Sequence, residues 1–296
     1  MVSVIIPNYN HAQYLNQRID SILNQTFDDY EVIILDDCSM DDSKSVIEQY
    51  RGNPKISHIV YNETNSGSTF IQWKRGIDLA KGEYILIAES DDYCSNNFLD
   101  TLYNRIRRDN SVVCFCQSNL VDENDHIYGL WDDPHELYQD DWCKGGVDII
   151  NEHSSYRNII PNASATLFRK ECFGKINFNH LKRYKACGDW FTWIHILMQG
   201  KCSFCSAPLN YYRRLRDCAT NKNRLNFNNI KETLWINLFL KQHGFFYDAH
   251  YWKNDWIFQA NHNKKILLNN QFLTISGVLA RLSFEQYLKL YKFLLK

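Results

Sequence analysis

Proline and glycine are scarce in this chain, at 5 and 12 of 296 residues. That scarcity excludes collagen-like and low-complexity architectures. With 45% apolar and 15% aromatic residues, it also excludes intrinsic disorder. No uninterrupted apolar run approaches the ~18–20 residues that a membrane span needs. The opening M-V-S-V-I-I-P lacks a basic leader and a small-residue cleavage site, so a cytoplasmic protein is expected. Neither G-x-G-x-x-G nor G-x-x-x-x-G-K-[ST] occurs, which removes the dinucleotide fingerprint and the P-loop. Net charge is also nearly absent, at −1, so no nucleic-acid partner is expected.

The near-zero charge hides an asymmetry. Residues 1–210 carry 19 Lys and Arg against 29 Asp and Glu, whereas residues 211–296 carry 14 against 5. A basic C-terminal segment suits an anionic partner or is simply a solvated helical face. The ten cysteines include one C-x-C (Cys114, Cys116) and one C-x-x-C (Cys202, Cys205). A structural zinc site usually needs two well-spaced pairs, so buried reduced thiols are the expectation.

Strand and helix alternate through the first 120 residues. Apolar runs at 2–6, 31–35, 56–61, 84–88 and 112–116 read as strands, and residues 11–24, 68–80 and 97–108 between them as helices. Asp41 or Asp42 can cap a further short helix. Continuous apolar strands separated by helices predict a doubly wound, mostly parallel α/β sheet covered on both faces. Residues 121–160 read as a loop or small insertion, 161–172 as a loop entering a strand, and 187–199 as a helix. From about 218 the pattern is helical to residue 296.

In such sheets ligands bind beyond the carboxyl ends of the strands. Three polar clusters fall there: Asn8-Tyr9-Asn10, Asp36-Asp37, and Glu89-Ser90-Asp91-Asp92. Carboxylates at Glu89 and Asp91 are hard oxygen ligands suited to Mg²⁺ or Mn²⁺ shared with substrate phosphates, or else an acidic turn. Asp37 can accept the N3–H of a uracil or thymine ring, or a ribose hydroxyl, while Asp36 can orient the following turn. Pro7 fixes the backbone and Tyr9 offers an aromatic face for a base. Asp189 opens a helix, where an Asp is ordinarily a cap, and near a site could be a general base. Trp190 and Trp193 follow it and could floor a sugar. Arg213, Arg214 and Arg216 could clamp a diphosphate or form plain surface charge.

These residues stand in a pattern. V-S-V-I-I-P-N-Y-N (2–10), S-I-L-N-Q-T-F-D-D-Y-E-V-I-I-L-D-D-C-S-M-D-D-S (21–43), N-S-G-S (65–68) and A-K-G-E-Y-I-L-I-A-E-S-D-D (80–92) resemble the family 2 glycosyltransferases of the GT-A fold. P-N-A-S-A-T-L-F-R-K (161–170) and G-D-W-F-T-W (188–193) resemble that family's acceptor half. The resemblance covers roughly residues 1–215. It implies a GT-A domain over 1–215, with a nucleotide-sugar-binding half (1–118) and an acceptor half (119–215), followed by a basic helical extension (216–296). It implies inverting transfer from a nucleotide-diphosphate sugar, UDP- or dTDP-linked, to a hydroxyl of a glycan or lipid-linked acceptor in cell-surface polysaccharide synthesis.

Carried over by position, Pro7, Tyr9 and Asn10 would lie at the donor, and Asp37 would contact the base. Glu89-Ser90-Asp91 would be the D-x-D motif, with Glu89 by the ribose and Asp91 on Mn²⁺ or Mg²⁺. Asp189 would be the catalytic base, Trp190 would meet the acceptor, and Arg213 and Arg214 would meet the diphosphate. The sequence departs from the family at Glu89, which replaces the usual first Asp. It departs again at Leu215, which stands where many members carry a histidine near the diphosphate.

Two other readings share some of these features. A sugar nucleotidyltransferase would carry a glycine-rich, lysine-containing loop after the first strand, and none is present. A sugar-nucleotide-binding scaffold with a degraded site would tolerate Leu215 but has no need of Asp37, Asp91 and Asp189. The basic, aromatic end of the chain (Lys289, Tyr291, Lys292, Phe293, Lys296) suggests peripheral contact with anionic lipid, or a helical cap.

Overall fold

Every second residue of the first strand faces the same side of a sheet, and both sides are covered. A computed structural model describes residues 1–131, 136–155, 157–215 and 228–245. Its strands are β1 (Val2–Asn8), β2 (Tyr30–Asp36), β3 (Ile56–Tyr61), β4 (Tyr84–Ile87), β5 (Tyr93–Cys94), β6 (Val113–Val121), β7 (Ile127–Leu130), β8 (Trp142–Gly145), β9 (Thr166–Arg169) and β10 (Lys201–Arg213). Its α-helices are α1 (Ala12–Leu23), α2 (Ser43–Glu48), α3 (Thr69–Leu79), α4 (Phe98–Arg108), α5 (Gly146–Ile149), α6 (Phe178–Leu181), α7 (Gly188–Leu197) and α8 (Asn228–Gln242).

The sheet runs β3-β2-β1-β4-β9-β6-β10-β5, with β7 on β6 and β8 on β10. The first four strands are parallel, as the apolar runs predict, and β10 is parallel to β6. β9 runs antiparallel between β4 and β6 and joins the two parallel parts. Alternation along the strands divides the interior in two. Ile5, Ile33, Leu35, Ile85, Ile87 and Phe115 face α3, α7 and α8, whereas Val4, Ile6, Val32, Ile34, Leu86 and Cys116 face α1, α2 and α4. The fold is therefore the doubly wound GT-A-like sheet with a helical extension.

Asp41 caps two helices at once: Oδ1 accepts from Ser43 N at 3.0 Å and Oδ2 from Ala12 N at 2.9 Å. The stretch expected as a loop or small insertion is built, holding β7, β8 and α5. Cys114, Cys116, Cys202 and Cys205 are buried free thiols, and burial pushes each of them up. No group of three or more metal-holding side chains occurs among the described residues.

Helix α8 packs Ile236 and Leu240, both fully buried, into the same core as α7. The described part of the basic segment thus shares that core. No described helix is long and apolar enough to cross a membrane. Arg216 and the lysines and aromatics at 289–296, on which the lipid contact was expected, lie outside the described residues.

Candidate active site

The ends of β1, β2 and β4 meet at one edge, and their turns are tied together. Asn8 donates to Asp36 Oδ1 at 2.7 Å, and Ser39 donates to Asp36 through both its hydroxyl (2.6 Å) and its N–H (3.0 Å). Asp36 is thereby the turn-orienting residue. Asn10 and Cys38 hold left-handed backbone, at φ 56° and 63°. Such conformations in residues other than glycine are costly and cluster at functional sites.

Asn10 accepts from Met40 N at 2.7 Å through its side-chain oxygen, bracing two turns, and is exposed. Pro7 is buried within β1, and Tyr9, 42% exposed, is the aromatic face that the turn presents. Asp37 is 5% exposed. Its Oδ1 accepts from Asn62, Ser66 N and Gln72 at 2.6, 2.9 and 2.8 Å, and its Oδ2 accepts from the Ser66 hydroxyl at 2.7 Å. Oδ2 keeps acceptor capacity for a ligand.

A cavity of about 430 Å³ opens beside this edge. Glu89, Asp91, Asp92 and Asp189 line it, with Trp73, Lys185 and Tyr212. The structure thus brings the E-S-D-D turn and the start of α7 to one cleft, although about 100 residues separate them in the chain.

Asp91 is half-buried, and its carboxylate has no hydrogen-bond partner among the described residues. Asp92 behind it is spoken for: Asn162 donates to Oδ2 at 2.7 Å and Arg213 N to Oδ1 at 2.9 Å. Burial, then the charge of Asp91, raises Asp92 above the ordinary carboxylate range. Glu89 is half-buried and receives the Trp73 indole N–H at 2.9 Å. Burial, reinforced by Asp91, pushes it up to about 8. Trp73 is itself stacked on Trp193, at 5.8 Å between centroids, and Trp193 on Phe168 at 4.8 Å. An aromatic pillar through the core therefore aims Glu89.

Asp189 stands in the first turn of α7. Its Oδ1 accepts from Trp190 N at 2.7 Å and its Oδ2 from Asn158 at 3.2 Å. Burial raises it to about 6; the bond from Trp190 N opposes that rise and the charge of Glu232 adds to it. Gly188 lets this turn approach α3. A Cβ there would lie 2.4 Å from the Phe70 ring and 2.9 Å from Tyr184 Cβ. Gly188→Ala is expected to lower stability by about 1–3 kcal/mol through this overlap and to displace Asp189. Urea unfolding and turnover, measured on the same preparation, check both effects.

Two expectations are corrected. Trp190 is 6% exposed and donates its indole N–H to Ser154 O at 2.9 Å, so it belongs to the core and not to an acceptor floor. Arg213 is buried. Its Nε donates to Asp91 O at 2.8 Å, Nη1 to Asp122 O at 2.8 Å, and Nη2 to Gln17 Oε1 at 2.8 Å and Asp125 Oδ1 at 2.5 Å. The guanidinium also sits 4.4 Å from the Tyr14 ring centroid. Four of its five N–H groups are engaged, and the side chain, 1% exposed, holds the E-S-D-D turn from behind rather than meeting a diphosphate.

Arg214 differs. It is half-buried, and its guanidinium lies 5.3 Å from the Tyr212 ring and 5.9 Å from that of Trp131, with no hydrogen bond to a described residue. Leu215 is the last residue described before 228.

Residues that the sequence did not single out also build the site. His11 Nδ1 and Ser90 Oγ share a hydrogen bond of 2.9 Å, tying α1 to the E-S-D-D turn. Asn158, Lys185 and Tyr212 frame Asp189. Only the aromatic-basic segment Y-Y-R-R hinted at any of them.

A family model described as Glycosyl transferase family 2 matches residues 3–163. The chain is 28% identical over 223 residues to the glycosyltransferase GlyG of Streptococcus pneumoniae serotype 4, covering 72% of this chain and 71% of that protein. It is 28% identical over 223 residues to the poly(ribitol-phosphate) beta-N-acetylglucosaminyltransferase TarP of Staphylococcus aureus, covering 73% and 63%. Among solved structures, S. aureus TarS 1-349 in complex with UDP-GlcNAc superposes with a TM-score of 0.66 at 20% identity, over 96% of this chain and 77% of that one.

Proposed function

Since the chain belongs to the family 2 glycosyltransferases and is therefore a sugar-transferring enzyme, we propose that the cleft between Asp91 and Asp189 joins a UDP-linked sugar to a hydroxyl of a cell-surface glycan polymer, with inversion at the anomeric carbon. The observation that carries this reading is the sharing of one cavity by two unlike carboxylates. The Asp91 carboxylate has no hydrogen-bond partner among the described residues, and Asp189 is raised to about 6. A base whose pKa lies just below the working pH is both ionised and strong enough to accept a proton.

In this reading the base of the donor lies against Tyr9, and Asp37 Oδ2 accepts its N3–H. A uracil or thymine carries that N–H, and the likeness to the N-acetylglucosaminyltransferase TarP and to the UDP-GlcNAc complex of TarS favours an N-acetylglucosamine sugar on UDP. Glu89, aimed by Trp73, meets the ribose. Of the two arginines expected at the diphosphate, Arg214 alone faces it. Asp189 takes the proton of the acceptor hydroxyl as that oxygen attacks the anomeric carbon, opposite the departing diphosphate. The acceptor is a glycan or lipid-linked chain entering past Lys185 and Tyr212.

The donor set fits a divalent cation. One unpartnered carboxylate is what Mg²⁺ or Mn²⁺ takes from a protein when diphosphate oxygens and water supply the rest. Asp91 would hold it, and the ion would neutralise charge on the leaving diphosphate. Residues 1–215 carry the reacting groups in this reading. Work on the inner membrane face, through residues 216–296, would suit a lipid-linked acceptor.

The test is transfer from a panel of nucleotide sugars to a polyol-phosphate or glycan acceptor, across pH 4.5–8.5. One uridine donor is expected to react, with metal required. Because Asp189 must be ionised to act and its pKa is about 6, kcat is expected to fall about tenfold for each unit below that value. A pH-independent kcat down to 4.5 would remove Asp189 from the role.

A further inference from the structure

We propose that Glu232, on helix α8, is a positioning residue for catalysis: it holds the turn that presents Asp189. The inference rests on Asp189 being the base and goes beyond it, because it gives the C-terminal helix a part in the reaction.

Glu232 is fully buried. Its Oε1 accepts from Lys185 N, and its Oε2 accepts from Ala186 N and Cys187 N, each at 2.8 Å. A carboxylate carrying three backbone N–H bonds fixes the path of the chain it caps. That chain is the turn entering α7, and Asp189 follows two residues after Cys187. The start of a helix also favours a negative charge. Cys187 Sγ adds contacts to Asn229 Oδ1 at 3.6 Å and Thr233 Oγ1 at 3.9 Å, so α8 grips the turn at more than one point.

Lys185 Nζ donates to Gly67 O at 2.9 Å, and the neighbouring Ser66 donates to both oxygens of Asp37. Asp37 does not depend on that contact, because Asn62 and Gln72 also donate to its Oδ1, at 2.6 and 2.8 Å, so Glu232 acts on the Asp189 turn. The apolar helix α7 cannot set this geometry alone, because its buried faces fix its axis but not the turn that precedes it.

Glu232→Gln keeps the size and loses the charge and at least one of the three acceptor contacts, since the amide NH₂ meets donors. A misplacement of about 1 Å can cost roughly 100-fold in rate, so kcat is expected to fall about 10- to 100-fold. UDP affinity by calorimetry should stay at the wild-type value, since Asp91, Tyr9 and Arg214 are untouched. Glu232→Asp, which keeps the charge on a shorter arm, serves the same test if the Gln variant does not fold. A fall in kcat with UDP binding intact supports the proposal. Wild-type kcat in a folded variant, or parallel loss of kcat and UDP binding, overturns it. Asp189→Asn separates the two layers. If that variant retains full activity, the assignment of the base fails and this inference with it. If Asp189→Asn is inactive while Glu232→Gln turns over normally, only the role of Glu232 fails.

Discussion

Asp189→Asn is expected to lower kcat by about 10²- to 10⁴-fold, the usual contribution of a positioned general base. The amide is nearly isosteric and can still accept from Trp190 N, so the start of α7 should keep its shape. Stability should not fall with activity. The folded-state pKa of Asp189 is raised, so the ionised group opposes folding above that pKa, and below the unfolded value the opposition disappears. Replacing it by a neutral amide is therefore expected to leave Tm unchanged or higher at pH 8, and the difference should shrink as pH falls through about 6. Loss of kcat with Tm held or raised identifies a base. Loss of both would make Asp189 a helix cap.

Arg213→Met carries the largest expected effect on stability. The substitution keeps an apolar side chain of similar length but removes the donors to Asp91 O, Asp122 O and Gln17 Oε1. Breaking a buried charged network from one side costs about 3–5 kcal/mol, and a domain of this size loses about 2–4 °C per kcal/mol. A fall in Tm of about 10 °C is expected on those two scales. The pair with half-exposed Asp125 contributes little of this, because solvent screens it. Were Arg213 a diphosphate ligand instead, the variant would fold normally and lose donor affinity alone. Arg214→Met should show that second behaviour, with a weaker grip on UDP and an unchanged Tm.

The parallel half of the fold was legible because strands buried on both faces are written as continuous apolar runs. The rule that ligands bind beyond strand ends then pointed to Asp37, Glu89 and Asp91 without any coordinates. Arg213 was misread for a reason the sequence does not carry. Register shifts around Pro208 re-aim β10, so that Asn210 and Tyr211 pair with β5 and Arg213 turns inward beneath the E-S-D-D turn. Nothing in Y-Y-R-R distinguishes the arginine that turns inward from the one that stays half-exposed. Trp190 failed differently: an aromatic in an almost wholly apolar helix reads alike as a core residue and as a sugar platform, and only its bond to Ser154 O decides. Glu232 lay in a segment read only as helical, and its role appears when three backbone N–H groups from 45 to 47 residues away converge on it.

The most direct test of the central claim, that one cleft separates a donor-and-metal carboxylate from a base, is calorimetric titration of UDP into wild type, Asp91→Asn and Asp189→Asn, each with Mn²⁺ and with EDTA. Wild type and Asp189→Asn are expected to bind UDP equally and only with the metal, while Asp91→Asn loses the metal-dependent binding. Equal binding in EDTA, or loss of UDP from Asp189→Asn to the same extent as from Asp91→Asn, would contradict it.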